Sequence, residues 1–155
     1  MHRDIKPGNI IVVTSFSPNV QFVDFGAATA DTQSFNHMAG TIRYLAPEVI
    51  ALKNKESKIP YDRAIDIWGL GLVAYELSCR KFISFDYIIW ENFVKLKDRL
   101  ASTKWVPGDI SELIQRMLQW SASGRISAAE LLQSLGGMVS ENVDHRVAAK
   151  HSREK

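Results

Sequence analysis

Four residues near the start of the chain carry groups that act together on a phosphate ester. In Met1-His2-Arg3-Asp4-Ile5-Lys6-Pro7-Gly8-Asn9, one short loop offers a proton acceptor (Asp4), a cation (Lys6) and an amide oxygen (Asn9). Asp24-Phe25-Gly26 adds a second acid at the end of an apolar run. Two metal-seeking groups (Asn9, Asp24), one phosphate-seeking cation and one proton acceptor are the parts needed to move a phosphoryl group onto a hydroxyl. Taken singly they have plainer readings, with Asn9 as a turn residue and Asp24 as a strand-end cap.

These groups need elements to bring them together. Ile10-Ile11-Val12-Val13-Thr14 is β-branched throughout and reads as a buried strand. Ser15 to Asn19 reads as a turn, and Val20 to Asp24 as the return strand. The hairpin would set Asn9 and Asp24 side by side, within reach of one cation. Gly26 to Leu45 is poor in large apolar residues and reads as a mobile loop. A short helix is expected from Ala46-Pro47-Glu48, and Asn54 to Pro60 is a polar surface loop.

Asp62 to Cys79 gives the strongest helical pattern. Its apolar residues surround the cylinder rather than striping it, so the helix should be buried, and Gly69 and Gly71 suggest close approach of neighbouring backbone. A looser amphipathic segment spans Ile88 to Leu100. Asp109-x-x-Glu112 and Ser127-x-x-Glu130 read as capping boxes of two more helices, the second ending at Gly136-Gly137. Asn142 to Lys155 has no apolar face and is expected to be frayed. The fold class is mainly α with a small β-hairpin.

The bulk properties of the 155 residues, 46% apolar and 23% charged, suit one soluble domain with a sizeable core. Residues 144–155 hold four cations and two acids, which accounts for the whole net charge of +2 and leaves the body neutral. That balance argues against nucleic acid as a partner. The lone Cys79 excludes an internal disulfide and suits a reducing compartment. No secretory signal is visible, and the most apolar segment, Ile65 to Cys79, is too short for a bilayer and carries Asp66 and Glu76. A cytoplasmic or nuclear location, without membrane insertion, is expected.

His2-Arg3-Asp4-Ile5-Lys6-x-x-Asn9, Asp24-Phe25-Gly26, Gly40-Thr41-x-x-Tyr44, Ala46-Pro47-Glu48, Asp66-x-Trp68-x-x-Gly71 and a late Arg125 occur in one order. That order and spacing resembles the eukaryotic-type protein kinase family, Ser/Thr type, over residues 1 to about 140. The resemblance implies the large helical C-terminal lobe of the kinase fold at 1–140, followed by a polar basic tail at 141–155. It implies Asp4 as the catalytic acid that accepts the substrate hydroxyl proton. Lys6 is implied as the cation on the transferred phosphate, and Asn9 and Asp24 as the Mg²⁺ ligands. ATP and Mg²⁺ are the implied cofactors, a protein Ser or Thr the acceptor, and Thr41 the substrate-facing threonine. His2 and Phe25 are implied to stack, Asp66 to hold the backbone beside His2, and Glu48 and Arg125 to form a buried ion pair. Arg3 is implied as the partner of a phosphate on the following loop, with Thr29, Thr32 and Ser34 as candidates.

The 155 residues depart from the family by lacking its other half. They contain no G-x-G-x-x-G, and no strand lysine with a helix glutamate partner can be placed. The resemblance puts those elements, the adenine-gripping linker and a long helix upstream of residue 1. The expectation is that Met1 is an internal methionine, that the smaller lobe is absent, and that this chain alone has little or no activity. The uncovered apolar surface should favour self-association or a partner. A non-catalytic kinase-lobe remnant serving as an interaction module is the alternative. Phosphorylation of a small molecule fits Ala46-Pro47-Glu48 and Thr41 less well.

Overall fold

The computed structural model describes residues 1–13, 19–86 and 88–137. The chain divides into two compact units, Met1–Arg125 and Ile126–Lys155. In the first, β1 (Ile10–Val13) pairs antiparallel with β2 (Asn19–Phe22), in the register Ile10 to Phe22 and Val13 to Asn19. Four helices follow: α1 (Pro47–Lys53), α2 (Ala64–Cys79), α3 (Trp90–Ser102) and α4 (Gly108–Met117). The mainly helical class with one small hairpin is the observed architecture. The expected turn at Ser15 to Pro18 and the tail from residue 138 lie outside the described residues.

Helix α2 is the axis of the first unit. Ten of its sixteen residues are buried, among them Trp68 and Leu72 at 0% exposure. Its glycines mark where neighbours press in. A Cβ on Gly69 would stand 3.0 Å from both Cβ and O of Ile5, and one on Gly71 would stand 2.9 Å from Leu118 and Met117 side chains. Two segments therefore meet α2 at backbone distance: the loop before β1 and the end of α4. Phe93, Leu96 and Leu100 form the buried face of α3, and Phe93 joins Trp68, Trp90 and Trp120 in an aromatic cluster with centroids 5.2–6.3 Å apart. No described helix is long and apolar enough to cross a membrane.

Several local expectations are corrected. The hairpin strands are not buried: Ile11, Val12, Val13 and Val20 are all exposed. Their β-branched composition reflects fit to an extended backbone, which does not depend on a covering layer. The segment after β2 is tethered rather than loose. Residues Phe25–Ala27 and Ile42–Tyr44 form 3₁₀ turns, and Ser34 makes a two-bond bridge with Tyr61 at 2.9 and 3.0 Å.

Asp109 does not cap α4. Pro107 holds the cap position and donates no side-chain bond, so Asp109 falls inside the first turn and accepts from the Ile110 N–H at 2.9 Å. There it still favours the positive end of the helix dipole. In the second unit the reciprocal box is formed: Ser127 N donates to Glu130 Oε2 at 2.8 Å, and Glu130 N to Ser127 Oγ at 3.2 Å. The helix it opens, 128–137, runs through Gly136 and Gly137 instead of stopping before them.

Candidate active site

The loop at residues 2–9 is irregular and must be held from outside. Asp66, in the first turn of α2, does this with both carboxylate oxygens. Oδ2 accepts the His2 N–H at 2.7 Å and Oδ1 the Arg3 N–H at 2.8 Å. A carboxylate this close to the core needs such donors. Arg3 sits at φ 70°, a left-handed conformation that disfavours a side chain, so the two bonds hold a strained turn. Its Nε donates to the Ala27 carbonyl, and its Nη1 lies 3.5 Å from Ser34 Oγ. Of the three hydroxyls weighed as phosphate carriers, Ser34 is the one that approaches Arg3 in the described structure.

A second set of contacts fixes the loop to the Asp24 turn. The His2 and Phe25 rings lie 4.9 Å apart at 51°, and His2 Nε2 is 3.2 Å from the Val23 carbonyl. Asp24 also occupies the left-handed region, at φ 62°, and its Oδ1 accepts the Gly26 N–H at 3.3 Å. Register in the hairpin places Asn9 and Asp24 at the same end, because Ile10 pairs with Phe22 and Val23 N donates to Asn9 O at 3.0 Å. Asn9 and Asp24 share no hydrogen bond.

Asp4 is the hub. Lys6 Nζ stands 2.8 Å from Asp4 Oδ2 and donates to Thr41 Oγ1 at 2.7 Å. Asn9 Nδ2 donates to Asp4 O at 2.9 Å and to Asp4 Oδ2 at 3.0 Å. Burial works against the charged carboxylate, but the hydrogen bonds from Lys6, Thr41 and Asn9, with the Lys6 charge, outweigh it. They hold the Asp4 carboxyl below its ordinary value of 3.8. Its other oxygen, Oδ1, is buried and has no hydrogen-bond partner among the described residues. An ionised carboxylate with one oxygen committed and the other open is arranged to accept a proton.

The site suits a hard divalent cation. Asn9 spends its amide N–H groups on Asp4, which leaves its carbonyl oxygen as the free end of a buried side chain; Asp24 is exposed beside it. Among the described residues no three His, Cys, Asp or Glu side chains gather. Such a sparse oxygen set matches Mg²⁺, which takes one or two protein ligands and completes its shell with water and phosphate.

Thr41 and Gly40 join this loop to α1. Gly40 has φ 94°, and a Cβ there would stand 2.6 Å from the Arg3 carbonyl. Farther along, Tyr44 donates its hydroxyl to Glu76 Oε2 at 3.0 Å, while Glu76 Oε1 accepts the Ile83 N–H at 2.7 Å. Glu76, buried in α2, was not among the residues singled out from the sequence. The available signal was an acid inside a helix apolar on all sides, which has to find donors. At the far end of α1, Glu48 takes a bidentate contact from Arg125 at 2.5 and 2.7 Å. Thus Asp4, Lys6, Asn9 and Thr41 meet directly, and His2, Phe25, Asp66 and Arg3 hold the loop. Glu48 and Arg125 form a separate anchor.

A helical unit with one hairpin, whose acid, cation and amide are fixed by a buried helix, defines a phosphoryl-transfer class of protein. Comparison with known proteins agrees. The Protein kinase domain family matches residues 1–135. Serine/threonine-protein kinase cds1 of Schizosaccharomyces pombe is 34% identical over 163 residues, covering 99% of this chain and 35% of that protein. The Aurora kinase of Yarrowia lipolytica is 31% identical across 84% of this chain and 34% of its own length. Aurora kinase C of Mus musculus is 32% identical across 86% and 46%. The chain belongs to the protein kinase family. It spans between about a third and just under half the length of these relatives.

Proposed function

We propose that the chain carries the catalytic and metal-binding loops of a Ser/Thr protein kinase, transferring the terminal phosphoryl group of ATP to a protein hydroxyl. The observation that carries this reading is the state of Asp4: ionised, bound through Oδ2 to Lys6 and Asn9, and open at Oδ1. Asp4 Oδ1 orients the acceptor hydroxyl and takes its proton. Lys6 Nζ, steered by Thr41, offsets negative charge on the phosphoryl group in flight. Asn9 and Asp24 hold Mg²⁺, which when bound draws charge from the phosphate oxygens. The Ser/Thr assignment rests on Lys6, on Thr41 and on the printed names of the relatives, cds1 among them. The protein works in the cytoplasm or nucleus, consistent with its free, buried Cys79.

The domain spans residues 1–140 in this proposal, with 141–155 as a tail. The polypeptide of residues 1–155 tested alone binds Mg·ATP weakly and turns over little, since it contains no glycine-rich loop to cover the phosphates. Calorimetric titration with Mg·ATP checks this, and tight binding would oppose it. Radiolabelled phosphate transfer to a Ser/Thr protein acceptor tests the catalytic assignment in any form of the protein that turns over. Asp4→Asn should lower the rate by roughly 10²–10⁴-fold, the range of a positioned proton acceptor. An unchanged rate would reject Asp4 and favour a module that binds partners without catalysis.

A further inference from the structure

A cleft of about 820 Å³ lies between α1, the 54–62 loop, the start of α3 and residues 120–123. Its floor and walls are apolar. Ile59 is 74% exposed, Trp90 52% and Ile89 43%, an unusual concentration of large apolar side chains on a free surface. Trp90 and Trp120 meet edge to face, with centroids 5.2 Å apart at 89°, so one aromatic face of Trp90 remains open.

The charges lining this cleft are all of one sign. Glu48, Glu56 and Asp62 contribute carboxylates, and no cation lines it. Glu48 is committed to Arg125. Glu56 and Asp62 are not ion-paired with any described cation. Each uses a single oxygen internally, Glu56 Oε1 for Asn54 Nδ2 at 3.2 Å and Asp62 Oδ1 for the Ala64 N–H at 2.8 Å. Lys53, Lys55, Lys58 and Arg63 occur in the same stretch of chain, yet none lines the cleft. An aromatic face bordered by two unpaired carboxylates attracts a cation that also has apolar neighbours, through ring quadrupole and charge together.

We infer that this cleft docks a segment of a partner protein in which a lysine or arginine is flanked by large apolar side chains. The apolar side chains would cover Ile59 and Ile89, with the cation over Trp90 and between Glu56 and Asp62. This inference is independent of catalysis by Asp4. A cleft of opposite character on the other end of α3 supplies the internal control. It measures about 720 Å³ and is lined by Lys81, Lys95 and Arg99 against Asp98.

The test is fluorescence anisotropy of a labelled peptide alternating leucine and arginine, titrated with the full chain. Peptides with glutamine or glutamate in place of arginine serve as comparisons. The arginine peptide should bind roughly tenfold or more tightly than the glutamine peptide, and the glutamate peptide not at all. Binding should weaken by a similar factor in Glu56→Gln/Asp62→Asn, which keeps both internal acceptors, and in Ile59→Gln. It should also fall with added salt. Lys95→Gln/Arg99→Gln should leave it unchanged.

Equal affinity for the arginine and glutamine peptides would overturn the inference. So would absence of binding, or an equal loss in the control variant. Concentration-dependent dimerisation that Ile59→Gln abolishes, without peptide binding, would overturn it in favour of a second copy of the chain.

Discussion

Two ion pairs occur among the described residues, and they are built in opposite ways. Arg125 is closed: its side chain is 0% exposed, and all five N–H groups are used. Nη1 donates to Glu48 Oε1 and Ala64 O, Nη2 to Glu48 Oε2 and Trp120 O, and Nε to Gln119 O. The guanidinium also lies over the Trp68 ring at 5.0 Å. Asp4–Lys6 is left open. Its side chains are 12% and 27% exposed, Lys6 turns a second bond to Thr41, and Asp4 Oδ1 has no partner. A saturated buried pair serves as a clamp, because nothing remains with which to react. An unsaturated one retains a group for something that is not yet there.

That contrast can be broken first at the clamp. Arg125→Ala would leave the Glu48 carboxylate without its partner and three carbonyls without donors. The expected loss is about 3–5 kcal/mol of stability, read as the shift in a denaturant midpoint. Arg125→Lys should recover little of it, since a single ammonium cannot reproduce five fixed donors. If either variant loses less than about 1 kcal/mol, the pair is not the anchor described here. Asp4→Asn sharpens the other side. It removes a charge but keeps the shape, so it should change the midpoint far less than Arg125→Ala while removing phosphate transfer. An equal loss of stability would mean that both pairs are structural.

Gly40 gives an intermediate effect, because it couples the open site to the helical body. A Cβ at φ 94° would be strained and would stand 2.6 Å from the Arg3 carbonyl. Gly40→Ala is expected to lower stability by about 1–3 kcal/mol, measured by the same unfolding curves. Activity should fall further than that loss explains, since the displaced atom belongs to the residue preceding Asp4.

The chemistry was legible in sequence because its carriers are local. Asp4, Lys6 and Asn9 lie within one loop, and the hairpin needed to add Asp24 is read from β-branched residues on either side of a turn. The same residues misled on burial, since extended-backbone preference is not information about what covers a strand. Gly69 and Gly71 were informative for a physical reason: a glycine inside a helix has a stability penalty that close packing can explain. What stayed hidden was anything assembled from distant segments. The cleft draws Glu56, Ile59, Trp90 and Trp120 from separate stretches, and no periodicity links them. Glu76 was visible as an acid in an apolar helix, but its partners, Tyr44 and Ile83, come from two other segments.

Titration provides the smallest and most local comparison. The Asp4 carboxyl lies below its ordinary value of 3.8, so the folded state resists its protonation. Its stabilising contribution is therefore complete above that value and is lost as pH falls below it. Tyr44 behaves in the opposite sense. Burial, then the hydrogen bond to Glu76 and its charge, push the phenol up to about 12 from 10.0. The folded state favours the protonated phenol, so this contribution is complete below pH 10 and is lost as pH rises through about 12.

Tyr75 is also raised to about 12, by burial first and by Cys79, so the two late phenols must be separated with Tyr44→Phe under ultraviolet detection of phenolate. In Glu76→Gln the acceptor for Ile83 N survives but the charge does not. The Tyr44 titration should then move back toward 10 without reaching it, because burial remains. No movement would mean that Glu76 acts on Tyr44 only as a spacer, and that the link from α2 to the segment after Thr41 is packing rather than charge.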